Sequence, residues 1–188
     1  AQMKAECTLV QQEWDGMMPA LRARKFDMIV ASMTISDERR KAADFSDPYY
    51  DVPSRFVARA GAFKDHSPKS LEGKRIVVLR NSPRAKHIAE QYKGSEVLLV
   101  NKETDVYMEL VAGRGDIGFG SSVVSGEAFL KKPEGKGFAQ VGPNVRLDAG
   151  GGGVGIAFRK GDDALREKVN AELKAIMADG TFKRLAAQ

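Results

Sequence analysis

The chain has 188 residues, of which 43% are hydrophobic and 29% charged, so it can bury a core as one domain or two small ones and is not a disordered tail. The formal net charge of +5 is moderate, and no basic run is interleaved with aromatic residues, which favours a solvated basic surface over a nucleic-acid-binding face. The longest apolar runs, such as residues 28–33, are far shorter than the roughly 20 residues of a membrane-spanning helix.

Cysteine and histidine usage does not indicate a metal centre. Cys7 is the only cysteine, and taken alone it favours a small buried hydrophobic residue over a nucleophile or ligand. His66 and His87 lie in polar stretches without the spacing of metal ligands. We therefore expect neither a metal nor a cofactor.

The first third of the chain predicts a helix, a strand and a short helix. Apolar residues recur with a helical period across 12–24, with Asp15 as a cap. FDMIVASM, residues 26–33, then predicts a buried strand. Ser36 is placed to cap a short helix that begins at Asp37.

The middle of the chain predicts repeated α/β units. A strand is predicted over 54–59, and the strand 75–79 ends in a polar turn where a helix begins near Ser82, with Pro83 in its first turn. The same pattern follows as a short strand, a helix ending at Gly113 and a strand over 116–119.

The last third contains four glycines, 150–153, before a strand. This run lacks the lysine of a phosphate-binding loop and precedes a strand, so it indicates a flexible connection. In the tail 162–185, apolar residues from Leu165 to Met177 share one helical face, which predicts an amphipathic helix with Gly180 as its C-cap. Alternating strands and helices of these lengths favour parallel sheets, with ligands at the carboxyl ends of the strands.

Two strand-to-helix turns contain the candidate ligand-binding residues. ASMTISDER offers Ser32, Thr34 and Arg39, and LRNSPRA offers a helix N-terminus at Ser82 with Arg84 one turn further on. Helix N-termini attract anions, and a guanidinium can hold a carboxylate through two parallel hydrogen bonds. These turns therefore suit a small carboxylate ligand.

Each of these residues also has a plainer interpretation. Arg39 could form a surface salt bridge with Glu38 or Asp44, and spacing alone does not decide between the two roles. Trp14 could be a core residue or a stacking platform.

The run WDGMMPALRARKFDMIVASMTISDERRKAADFSDPYY resembles the polar amino-acid type of periplasmic solute-binding protein, the receptor component of ABC importers. It is most similar to the lysine/arginine/ornithine, histidine and opine group. SLEGKRIVVL, LVAGRGDIG and VGIAFRKGDDALREKVNAELKAIMADGTF extend the resemblance over essentially the whole chain.

The resemblance implies an α/β, two-lobe, type II periplasmic-binding-protein fold that traps its ligand between lobes. Lobe 1 would comprise 1–52 and 149–188, and lobe 2 would comprise 53–148, with hinge strands near 51–54 and 147–152. The N-terminal strand and helix of lobe 1 would be missing before Ala1. In many relatives a disulfide joins the position of Cys7 to a cysteine seven residues earlier, so the resemblance implies a longer exported protein with its signal peptide removed.

The resemblance also assigns roles to single residues. Arg39 matches the arginine that holds the ligand α-carboxylate, Ser32 and Thr34 match its flanking hydrogen-bonding positions, and Trp14 matches an aromatic residue against the ligand side chain. The complete set of expected ligand-binding residues is Trp14, Ser32, Met33, Thr34, Arg39, Ser82, Pro83, Arg84 and Ser121.

The sequence departs from the family pattern in lobe 2. Pro83 replaces a threonine, which removes one hydroxyl and one N–H. Ser121 falls where amino-acid binders place an aspartate for the α-ammonium, and a serine brings no charge. A ligand whose amine is substituted, as in opines, or absent would fit these changes better.

The implied function is a periplasmic receptor that captures a carboxylate-bearing polar amino acid, opine or related derivative and delivers it to the permease subunits of an ABC transporter. It would be monomeric unless strands exchange between chains, with no nucleic-acid partner. The alternatives are an enzyme similar to cyclohexadienyl dehydratase and a ligand-sensing domain on the same fold. The enzyme needs an acid in the cleft, and none is expected among the positions assigned above.

Overall fold

A computed structural model of the chain describes residues 3, 5–147 and 153–186. In chain order the helices and strands are α1 (Trp14–Arg22), β1 (Met28–Thr34), α2 (Asp37–Ala42), β2 (Asp44–Phe45), β3 (Ser54–Arg59), β4 (Arg75–Leu79), α3 (Pro83–Gln91), β5 (Glu96–Val100), α4 (Glu103–Val111), β6 (Ile117–Ser121), α5 (Ser122–Ser125), β7 (Phe138–Val145), β8 (Val154–Phe158), α6 (Asp163–Ala178) and α7 (Thr181–Ala186). A π-helical turn, Gly126–Leu130, and a 3₁₀ turn, Pro133–Gly135, separate α5 from β7.

The chain divides into two compact units. Unit 1 comprises Ala1–Gln12, Gly16–Asp51 and Gly150–Gln188, and unit 2 comprises Glu13–Asp15 and Val52–Ala149. The second expected hinge strand and the glycine run fall largely on 148–152, which lie outside the described residues.

Several helices and strands have the bounds that the local sequence predicted. β3 and β4 have the predicted bounds, and α2 and α3 begin directly after their capping serines. The C-terminal helix, α6, ends just before Gly180 as predicted, and the rest of the predicted tail forms a second short helix, α7. Gly180 between them has a φ of +75°, a conformation that glycine adopts readily, so the chain turns there before a new helix begins.

The sheet of unit 1 has the strand order β1-β8-β2, and β8 is antiparallel to both neighbours. The expectation of a parallel sheet is therefore wrong for this unit, because β8 returns in the opposite direction after the chain has passed through unit 2. Every residue of β8 is buried, so its sequence is a continuous apolar run that carries no sign of strand direction. Ile156 and Phe158 of β8 pack with Val169 of α6 in the core.

The sheet of unit 2 has the order β5-β4-β6-β3-β7. β4 is parallel to β5 and β6, as predicted, while β3 is antiparallel to β6 and β7. Apolar clusters pack around Phe56, Ile76 and Phe119 and around Val57, Val77 and Phe129. The strands β4, β5 and β6 therefore end at one edge of the sheet, here called the carboxyl edge, where α3, α4 and α5 begin and β3 starts.

Candidate functional site

The helix α2 positions Arg39 beside the end of β1. Ser36 caps α2 by accepting a hydrogen bond from the Arg39 N–H at 3.3 Å, as its sequence position predicted. Arg39 Nη1 donates to the Thr34 carbonyl oxygen at 2.8 Å, so this guanidinium is anchored to the last residue of β1. Arg39 is half-buried.

Asp44, one of the salt-bridge partners considered for Arg39, is engaged elsewhere. Its carboxylate accepts hydrogen bonds from Lys160 Nζ at 2.7 Å and from the Gly161 N–H at 2.8 Å. The Lys160 side chain, and after it the Gly161 N–H, hold the pKa of Asp44 below its ordinary value.

β1 is irregular where the ligand-binding residues were expected. Its register against β8 shifts between Ile29 and Met33, and Ser32 has a φ of +49°, which is uncommon for a residue with a side chain. Such bulges re-aim side chains at functional sites. Ser32 is exposed, and its hydroxyl lies 2.6 Å from that of Tyr50.

The neighbouring positions of β1 differ in what they can offer. The side chain of Met33 is only 1% exposed and lies in the core, so a contribution of Met33 to binding is limited to its main chain. Thr34 is half-buried.

At the carboxyl edge of unit 2, serine side chains cap the helices. Ser82 donates to the Leu79 carbonyl oxygen at 2.6 Å and accepts from the Ala85 N–H at 3.2 Å. The Ser121 hydroxyl oxygen accepts from the Val124 N–H at 3.3 Å. Pro83 occupies the first turn of α3, where its missing N–H leaves no unsatisfied donor.

A polar group at this edge, which we call the edge cluster, consists of Ser54, Arg84, Glu103 and Ser121. Arg84 Nε donates to Ser54 Oγ at 2.9 Å, and Arg84 Nη1 lies 3.6 Å from Glu103 Oε2. Glu103 Oε1 accepts the Ser121 N–H. The Arg84 and Glu103 side chains are 12% and 15% exposed, and Ser54 and Ser121 are buried, so the ion pair is largely withdrawn from water.

Glu103 was not among the residues predicted from the sequence, which considered an acid only at the positions assigned by the resemblance. It is the first residue of α4, and two residues separate it from the end of β5 at Val100. The signal that could have found it is its place near the carboxyl end of a parallel strand, as for Ser82 after β4 and Ser121 at the end of β6. Its two carboxylate oxygens face the Ser121 N–H and the Arg84 guanidinium, so its negative charge is balanced within the edge cluster.

The remaining candidates are more dispersed. Trp14 is the first residue of α1, is half-buried and groups with unit 2. Cys7 is exposed, so its interpretation as a buried hydrophobic residue is wrong. His87 stacks on Phe119 with ring centroids 5.6 Å apart, and burial lowers its pKa.

Among residues 3, 5–147 and 153–186, no group of histidine, cysteine and acidic side chains is arranged to hold a metal ion. In the same part of the chain, no helix combines the length and the apolar character needed to cross a membrane.

Comparison with known proteins gives concordant results. The family model of bacterial extracellular solute-binding proteins, family 3, matches residues 1–188. The L-arginine-binding protein of Pseudomonas aeruginosa is 44% identical over 188 residues, which covers 98% of this chain and 72% of that protein. The lysine/arginine/ornithine-binding periplasmic protein of Escherichia coli is 35% identical over 187 residues, which covers 98% of this chain and 72% of that protein.

A solved structure agrees with these sequence matches. An ancestral arginine-binding protein bound to glutamine superposes with a TM-score of 0.83 at 33% identity, over 93% of this chain and 75% of that chain. The fold class expected from the resemblance, that of type II periplasmic binding proteins, is confirmed. On the match over its whole length and the identity to these relatives, the chain belongs to family 3 of the bacterial extracellular solute-binding proteins.

Proposed function

We propose that the chain is an exported receptor of an ABC importer that binds a small carboxylate-bearing solute and presents it to membrane permease subunits. Its relatives are named as binding proteins, and several as periplasmic, which supports a binding role over an enzymatic one. In such a receptor, affinity comes from charge-assisted hydrogen bonds, and the ligand shifts a conformational equilibrium.

The observation that carries the proposal is the placement of Arg39. Its guanidinium is fixed to the end of β1 through the Thr34 carbonyl oxygen, next to the bulge that exposes Ser32. A guanidinium presents donors in a rigid fork that fits a carboxylate. We propose that Arg39, Ser32, Thr34 and the main chain at Met33 bind the ligand carboxylate.

Two observations support the proposed ligand class: the names of the relatives, and the differences from the family pattern at Pro83 and Ser121 in unit 2. We propose an arginine-like solute that keeps the carboxylate, either a polar amino acid or a derivative with a modified α-nitrogen, such as an opine. Trp14 would contact its side chain, and Ser82, Pro83, Arg84 and Ser121 would contribute from the carboxyl edge. Units 1 and 2 would correspond to the lobes 1–52 with 149–188 and 53–148.

The test is the replacement of Arg39 by alanine. If Arg39 holds the carboxylate in a desolvated pair, Arg39→Ala weakens binding by about 2 to 5 kcal/mol, measured by titration calorimetry with L-arginine, an arginine opine and 5-guanidinopentanoate, the analogue of arginine without the α-amine. Arg40→Ala is the matched control, because Arg40 is the next residue of α2 and is exposed. Equal affinities for Arg39→Ala and the wild type would refute the assignment.

A further inference from the structure

We infer that the Arg84–Glu103 ion pair is a specificity-determining device: it makes unit 2 disfavour a free α-ammonium and accept a neutral or anionic group in its place. This inference rests on the proposed function, because it specifies which carboxylate-bearing ligands that function selects. Its residues all lie in unit 2, at the carboxyl edge.

A negative charge is present beside residue 121 although the side chain there is neutral. Glu103 Oε1 accepts the backbone N–H of Ser121 itself. By resemblance, position 121 is where amino-acid binders place the aspartate for the α-ammonium. Glu103 could therefore replace that aspartate if its charge were not already balanced.

Arg84 balances that charge. Its Nη1 lies 3.6 Å from Glu103 Oε2, with the two side chains 12% and 15% exposed, so water screens the interaction only weakly. An ammonium that approached Glu103 would come near the Arg84 guanidinium as well, and the repulsion would offset the attraction. Arg84 is also held in place, because its Nε donates to Ser54 Oγ at 2.9 Å and Ser54 is only 2% exposed.

The hydrogen-bonding groups of the edge cluster also favour a neutral or anionic group of the ligand over an ammonium. The Ser121 hydroxyl oxygen already accepts from the Val124 N–H, and its proton is available to donate to a ligand oxygen. A guanidinium has donors and no acceptor. Ser121 and Arg84 can therefore both donate to a carbonyl or carboxylate oxygen on the ligand, whereas Arg84 offers an ammonium no acceptor.

The experiment compares two ligands that differ only in the α-ammonium, L-arginine and 5-guanidinopentanoate, by titration calorimetry. The wild-type chain is expected to bind 5-guanidinopentanoate at least as tightly as L-arginine. Arg84→Gln keeps an amide donor for Ser54 but leaves the charge of Glu103 unbalanced. The dissociation constant of L-arginine divided by that of 5-guanidinopentanoate should then fall, so that the preference shifts toward L-arginine. The expected fall is about ten- to a hundredfold, the range of a charge-assisted hydrogen bond.

Two further variants sharpen the result. Adding Glu103→Gln to Arg84→Gln removes the unbalanced negative charge while keeping an acceptor oxygen for the Ser121 N–H, and it should restore the wild-type ratio. Lys86→Gln is the matched control, because it removes a cation from α3 whose side chain is 71% exposed, and it should leave the ratio unchanged. If Arg84→Gln does not fold, Glu103→Gln alone gives the answer, since an unbalanced Arg84 should move the ratio further toward 5-guanidinopentanoate.

The outcomes separate this inference from the proposed function. A wild-type preference for L-arginine, or a ratio that Arg84→Gln leaves unchanged while Arg39→Ala abolishes binding, overturns the selective role of the ion pair and leaves the receptor function standing. A wild-type chain that binds none of the carboxylate ligands overturns the proposed function, and this inference with it.

Discussion

Asp44 joins β2 to the turn that follows β8 within unit 1. Its oxygens accept hydrogen bonds from Lys160 Nζ and from the Gly161 N–H, residues more than a hundred positions away in the sequence. The side chain of Asp44 is 25% exposed and that of Lys160 52%, so screening by water reduces what the ion pair contributes to stability. The hydrogen bond from the Gly161 N–H makes a further contribution. We expect a total contribution of about 1 kcal/mol to the free energy of unfolding.

The contribution of Asp44 should depend on pH in a defined direction. The pKa of Asp44 is lowered in the folded state, chiefly by Lys160, so its stabilising effect is present above the ordinary aspartate pKa and is lost as the pH falls through the folded value. Asp44→Asn should therefore lower stability by about 1 kcal/mol at neutral pH and by progressively less as the pH falls below the ordinary aspartate pKa. Urea unfolding across this pH range measures the difference, with Glu167→Gln on the exposed face of α6 as the control. A difference that stays constant with pH would contradict the assignment.

At the scale of elements, the glycines of β6 explain how closely α4 packs on the sheet of unit 2. A Cβ added at Gly118 would lie 2.7 Å from Val106 Cγ1 and 3.3 Å from Leu110 Cδ1. Val106 and Leu110 lie on α4 and are buried, so neither has room to move. The sequence pattern GRGDIGFGSS therefore reflects the close approach of a helix to a strand.

Gly118→Ala should destabilise the protein by about 1 to 3 kcal/mol, the usual cost of overpacking a core. Gly126→Ala is the matched control, because a Cβ there would meet only Gln140 Nε2, at 3.8 Å, an ordinary contact. Thermal unfolding of the two variants tests the packing, and equal midpoints would show that α4 can shift without cost.

At the scale of the whole molecule, each unit has its own sheet and its own core. A ligand that binds only the folded chain stabilises it by mass action, by about 2.7 kcal/mol when its concentration is a hundred times its dissociation constant. The unfolding midpoint should therefore rise with the concentration of 5-guanidinopentanoate. Arg39→Ala should show almost no such rise over the same concentrations, whereas Arg40→Ala should follow the wild type. Equal rises in all three would mean that the stabilisation does not come from the carboxylate site.

Much of the candidate site could be predicted because its signals are local. Ser36 and Ser82 precede their helices directly, and a capping hydrogen bond spans only three residues, from Ser36 to Arg39 and from Ser82 to Ala85. The family pattern ISDERRKAADFSDPYY likewise pointed to Arg39 from neighbouring residues. The bulge at Ser32 gave no local sign, since its positive φ arises where the pairing of β1 with the distant β8 shifts register.

The sequence by itself determined the capped helices through local caps and periodicity, and its resemblance to known proteins indicated the family, the fold class and Arg39 of α2. Only the tertiary structure decided the antiparallel course of β8 and the meeting of Ser54, Arg84, Glu103 and Ser121. Those residues come from separate strands and helices, and the order of strands in the sheet brings them to one edge. Charge balance at that edge depends on residues that are distant in sequence and close in the folded chain. In the sequence, Ser121 therefore suggested a missing negative charge, whereas in the structure Glu103 lies beside Ser121 and pairs with Arg84.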